Sequence, residues 1–240
     1  MTRTFRLFVS PSAADRVAAA RDAVRGCTPG SRILIVGATR GAADDLARDV
    51  ASAVPATFGI QRFSLTQLAA RTALAALAAD QRTPSTSLGA EAFTARAVFD
   101  AGRDGSLEYF APVAGTPGFP RALAHTLHEL RLAGLGPAVL SPLPLAGPDL
   151  ARLLERFDAG FADAASVDRA DLFRVAARLI HERAHDLVVL LDVPIEHAVE
   201  REFIEALIGS AVTALATVPT GDRTAMECLA TYFRSHATVA

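Results

Sequence analysis

The spacing of apolar positions along this chain changes period several times, and each change marks an element. Residues 4–9, TFRLFV, read as a strand, Pro11 and Ser12 open a turn, and 13–24 read as a helix. RILIV, 32–36, reads as a second strand, with a helix predicted behind it over 41–54 that places Leu46, Val50 and Val54 on one face. FGIQRF, 58–63, is a short strand. SLTQ, 64–67, fits a capping box, with Ser64 at the N-cap and Gln67 at N3, ahead of a helix carrying Leu65, Leu68 and Leu77. This alternation over the first 80 residues predicts parallel strands joined by crossover helices.

The rhythm breaks at QRTPSTSLG, 81–89, which reads as a linker. From 90 to about 184 the pattern is helical, with no convincing strand. One helix runs from Pro120 to Gly134 with Leu123, Leu127 and Leu130 aligned. A Pro/Gly connector covers 134–148. The next helix shows Leu150, Leu153, Leu154, Phe157 and Phe161, and another follows Asp168 with Leu172, Val175 and Leu179. The β/α rhythm returns with LVVLLD, 187–192, a continuous apolar run expected of a buried parallel strand. A helix with Val199, Phe203 and Leu207 follows, then a strand at 211–218, the turn PTGD, and a helix with Met226, Leu229 and Phe233. The organisation predicted is an α/β core from 1–83 and 185–240, with a helical insertion over 84–184.

Composition narrows the function. The 240 residues carry a net charge of -2, which predicts no bulk attraction to nucleic acid and leaves room only for a local basic groove. No apolar run approaches the roughly 20 residues of a membrane span, and MTRTFRLFVS does not read as a signal peptide, so a cytoplasmic chain without a membrane partner is expected. Cys27 and Cys228 are too far apart in sequence to suggest a metal pair. The strongest exclusion is the absence of lysine: all 24 basic residues are arginine. Schiff-base chemistry, the Tyr–Lys pair of short-chain dehydrogenases and the phosphate-loop lysine are all ruled out.

Three motifs suggest chemistry. In VGATRGAADDLA, Gly37 and Gly41 sit too close for a Walker A loop and are too few for GxGxxG. The turn reads either as an ordinary strand-to-helix connection or as a backbone contact to nucleic-acid phosphate through Thr39 and Arg40. A Rossmann-like nucleotide-binding domain is a weaker alternative. Asp44 and Asp45 are expected in the first helical turn, where they would repel a triphosphate, and the Arg40 guanidinium is expected to reach outward. HERAH, 181–185, matches the HExxH of zinc metallopeptidases, with His181 and His185 as ligands and Glu205 as the third. Against that rival stand the charges of Arg183 and Asp186 and a helix that must end before Leu187. His125 and His128, three apart, read as a polar helix face. LVVLLD has the form of a Walker B strand ending in Asp192, but Val193 replaces the glutamate that would activate water.

Taken in order, RILIVGATRGAADDLARDV, QRFSLTQLA, TPGFPRALAHTLHELRLAG, DRADLF, LLDVPIEHAVEREFIEAL and ATVPTGD resemble the N-terminal region of AddB-like, RecB-family PD-(D/E)XK nucleases of bacterial double-strand break repair. The resemblance spans nearly the whole chain. It implies a RecA-like (P-loop NTPase-like) parallel sheet with flanking helices and an inserted all-helical subdomain, in a superfamily 1 helicase-like module without ATPase residues. By position, Ser10, Pro11 and Ser12 stand at a degenerate phosphate loop, the turn with Thr39 and Arg40 at a DNA-backbone contact bordered by Arg62, and Asp192 at a degenerate Walker B site. The expected role is a non-catalytic DNA-binding or scaffolding module of a helicase–nuclease. Its partners would be DNA, a helicase–nuclease subunit and a C-terminal nuclease region missing from this chain. No cofactor and no catalytic residue are expected here; neither the nuclease acids nor the four cysteines of an iron–sulfur cluster are found.

Overall fold

The computed structural model describes residues 3–52 and 58–236, so Val54 of the predicted apolar face lies outside the described residues. Two compact units are formed, one from 1–73, 173–196 and 200–240, the other from 74–172 with 197–199. Among the described residues no helix is long and apolar enough to cross a membrane.

The first unit is a parallel α/β layer. Its strands are β1 (Thr4–Ser10), β2 (Ile33–Gly37), β3 (Ile60–Ser64), β6 (His185–Leu191) and β7 (Ala211–Pro219), in the order β1-β7-β6-β2-β3. Each neighbouring pair is parallel. The order is consistent with a RecA-like sheet, in which one strand separates the phosphate-loop strand from the Walker B strand. Helices α1 (Ala13–Arg25), α2 (Arg40–Ser52), α9 (Ala198–Gly209) and α10 (Arg223–His236) flank it. Every residue of β2 is buried, and β6 nearly so, which explains their uninterrupted apolar runs. Ile33, Ile35, Leu187 and Val189 pack with Leu46 and Val50 of α2 and with Ala20 and Val24 of α1.

Local signals start these helices. The Ser12 hydroxyl accepts the Asp15 N–H as N-cap of α1. The predicted capping box forms in both directions: Gln67 N–H donates to Ser64 Oγ at 3.4 Å, and Ser64 N–H to Gln67 Oε1 at 3.2 Å. Together they open α3 (Leu65–Ala79).

The second unit is built on α4 (Ser87–Arg103), α5 (Phe119–Leu132), α6 (Pro137–Leu140) and α7 (Gly147–Asp163). Leu123, Leu127, Leu153, Leu154, Phe157 and Phe161 form its core. Phe161 meets Phe93 and Phe157 with ring centroids 4.8 and 4.9 Å apart. Three expectations change here. Residues 81–89 are not all linker: Thr83–Pro84 form β4, and α4 begins at Ser87 behind the Thr86 cap. The region after 90 does contain a strand, β5 (Ser166–Val167), paired in parallel with β4. Two residues are too few to carry a period. The connector 134–148 holds the single turn of α6.

A buried ion cluster organises the same unit. Arg131 on α5, 6% exposed, donates to Asp168 at 2.7 Å and Asp171 at 2.8 Å and also pairs with Asp158. Its guanidinium lies 5.5 Å from the Phe161 ring centroid. Asp168 in turn accepts the Asp171 N–H at 2.9 Å, in front of α8 (Arg169–Leu179). Burial pushes the Asp168 carboxyl up, but bonds from His128 and Arg131 outweigh it and hold the group far below the usual carboxylate range.

Candidate functional site

The carboxyl ends of β1, β6 and β7 meet where an open parallel sheet binds ligands. β1 ends at Ser10 and the chain turns through Pro11 and Ser12 into α1. Ser12 N–H donates to Ser10 Oγ at 3.1 Å, Asp15 N–H to Ser12 Oγ at 3.2 Å, and Arg16 N–H to the Ser12 carbonyl at 3.2 Å. Pro11 has no N–H. The amides of Ser12, Asp15 and Arg16 are thus turned onto the loop's own oxygens.

Asp192 follows β6 in a left-handed backbone conformation, φ 52°. Its N–H donates to Thr217 Oγ1 at 3.1 Å and to the Thr217 carbonyl at 3.2 Å, and the Thr217 hydroxyl donates to Asp192 Oδ1 at 2.7 Å. Strand order creates this arrangement. Thr217 stands on β7 opposite both Phe8 of β1 and Leu191 of β6.

Arg16 completes the network. It is 6% exposed, its Nε lies 2.9 and 3.0 Å from the two Asp192 carboxylate oxygens, and its NH1 donates to the Ser10 carbonyl at 2.6 Å. The Asp192 carboxylate is thus taken up by an arginine from inside the protein. Sequence reasoning missed Arg16. The signal was present: Arg16, Ala20 and Val24 share the buried face of α1 at intervals of four, with one charge at the head of an apolar stripe.

The turn after β2 has a different logic. A Cβ on Gly37 would lie 2.7 Å from the Thr39 carbonyl and 2.9 Å from Ala43 N, so glycine is required by close strand–helix packing. Gly37→Ala is expected to lose about 1–3 kcal/mol in urea unfolding, as overpacking does; unchanged stability would show that the turn can open. The exposed Thr39 accepts the Ala42 N–H on its hydroxyl at 3.2 Å and caps α2. Arg40 is the first residue of α2, so Asp44 and Asp45 fall in the second turn, not the first. Nor does Arg40 reach outward: its Nε lies 3.0 Å from Asp44 and its guanidinium 5.5 Å from the Phe63 ring centroid.

Arg62 on β3 approaches the same Asp44 at 3.6 Å, and Arg71 lies 5.6 Å from the Phe63 centroid. Arg40, Arg48 and Arg62 line a groove of about 500 Å³ between α2 and β3, with Asp44 and the exposed Phe58. The structure therefore brings Arg40 and Arg62 together, adds Arg71 beside them, and places one carboxylate between the first two.

HERAH does not form a zinc helix. His181 lies in a 3₁₀ turn, Ile180–Glu182, Arg183 is extended, and His185 is the first residue of β6. The two histidines share no helix face, and Glu205 is engaged by Arg201 at 3.8 Å. His185 is buried; burial, then Arg32 and Arg183, push its pKa down and favour the neutral ring. Among the described residues no group of three His, Cys, Asp or Glu is arranged to hold a metal. Cys27 and Cys228 are free thiols.

No family model matches the chain. Over 67 residues, 28% of its length, it is 46% identical to an ATP-dependent helicase/deoxyribonuclease subunit of Moorella thermoacetica. The matched stretch covers 5% of that protein.

Proposed function

We propose that the chain is a non-catalytic, helicase-like module that binds DNA or acts as a scaffold within a helicase–nuclease of double-strand break repair and recombination. The observation behind this reading is the Arg16–Asp192 pair, which fills the place where an active helicase puts Mg²⁺ and phosphate. The local likeness to a helicase/deoxyribonuclease subunit supports the same setting. On this reading DNA meets the protein at Thr39, Arg40 and Arg62, and Ser10, Pro11, Ser12 and Asp192 are structural. A partner subunit and a separate nuclease region supply the chemistry.

Calorimetry and a salt series test it together. Titration with Mg-ATP is expected to give no heat of binding. Duplex DNA is expected to bind weakly, without sequence preference, and less as salt rises. Changing Arg40 and Arg62 together to alanine should flatten the log–log salt slope by about 1.8, at roughly 0.9 per phosphate contact. Mg-ATP binding that disappears in Asp192→Ala, or a salt slope indifferent to the double variant, would sink the corresponding half of the proposal.

A further inference from the structure

We infer that a cleft within the helical unit is a binding site for a small organic anion, an apolar body carrying a phosphate or carboxylate. The cleft measures about 580 Å³, within the usual range of small-molecule sites. Its walls are the first turns of α4, one face of α5, and Phe161. The proposed DNA-contacting role uses none of it.

The space exists because facing positions are small. Ala90 on α4 and Gly118, Ala122 and Ala124 at and along α5 all line it. The neighbouring core of the same unit is filled by Phe157, Leu127 and Leu154, none more than 1% exposed. Protein interiors are close-packed, so a run of Ala and Gly beside such a core leaves a hollow for an apolar body.

One guanidinium and two imidazoles sit at the rim. Arg121, His125 and His128 follow one another at i, i+4 and i+7, which aligns them on one face of α5. The side chains of Arg121 and His125 are 83% and 77% exposed, and their carboxylate neighbours stand off, Glu91 at 3.8 Å and Glu129 at 3.9 Å. Exposed pairs of that kind contribute little, so a ligand anion replaces them at small cost. Residues 85–87, all hydroxyl-bearing, also line the cleft. The one buried carboxylate on the lining, Asp168, already accepts from Arg131 at 2.7 Å and from the Asp171 N–H at 2.9 Å. Arg131 and the rim's own His128, 3.7 Å away, balance its charge, which leaves Arg121 and His125 as the groups that meet an anion.

Fluorescence titration of the whole chain with 2-naphthyl phosphate, 2-naphthoate and neutral 2-naphthol tests the assignment. The two anions should bind at least about tenfold more tightly than the naphthol, the size of one charge-assisted hydrogen bond. Their relative affinities identify the preferred head group. Arg121→Ala with His125→Ala should remove that preference and leave the melting temperature unchanged, since both side chains are exposed. Ala122→Phe should weaken all three ligands by filling the hollow. Equal binding of naphthol and the anions, no binding by any of them, or anion binding indifferent to the Arg121/His125 double variant would each overturn the site. None of these outcomes depends on whether the chain binds DNA.

Discussion

Replacing Arg131 with alanine is expected to lower folding stability by roughly 3–5 kcal/mol at pH 7, the cost of leaving a buried charge without its partner. Three carboxylates, Asp158, Asp168 and Asp171, face this one guanidinium, and Asp168 has only 7% of its surface exposed. Methionine at the same position restores volume but not charge, so Arg131→Met should recover little. The pH dependence has a definite sign. Asp168 has a folded pKa below its unfolded value, near 3.9, so its contribution is complete above that value and is lost as pH falls through the folded one. The gap between wild type and Arg131→Ala should therefore narrow in acid below about pH 4. Urea unfolding of both proteins at pH 7 and pH 3.5 measures it; a gap independent of pH would show that lost packing on Phe161, not charge, explains the effect.

Arg16→Ala is expected to be the second large loss, roughly 3 kcal/mol, at the low end for a broken buried pair because the Asp192 side chain keeps 22% exposure. Without the arginine, the Asp192 carboxylate keeps its bond from Thr217 and the residue stays in its left-handed conformation. The double variant, Arg16→Ala with Asp192→Ala, removes the orphaned charge and should be more stable than Arg16→Ala alone. Complete additivity of the two single changes in a double-mutant cycle would mean that the pair is not coupled, against the 2.9 Å geometry.

Elements specified by neighbouring residues could be read directly. Ser64 and Gln67 announce α3 because both bonds of the capping box lie within four residues. The β2 and β6 runs announce buried strands because both of their faces are covered. What escaped depends on partners far along the chain. Arg16 meets Asp192 across 176 residues, and no local pattern names that partner. Arg40 was expected to point outward from a turn ahead of the helix; the helix begins at Arg40 itself, and i, i+4 spacing then joins it to Asp44. HERAH looked helical in sequence, but His185 is drawn into β6 by the sheet it starts. The position of β7 between β1 and β6, which brings Thr217 to Asp192, is a property of strand order that no segment encodes alone.

That strand order also dictates when the sheet can assemble. β1 and β2 are the first strands made, yet they never touch; β7 and β6, made last, stand between them. Thr4 waits for Thr213, and Ile33 for Leu187. Closing such long loops costs entropy before any pairing repays it, which makes the α/β unit a slow folder. β1 emerges from the ribosome without a partner strand and β2 with β3 on one side only, so both depend on their own helices, or on a chaperone, until the final quarter of the chain arrives.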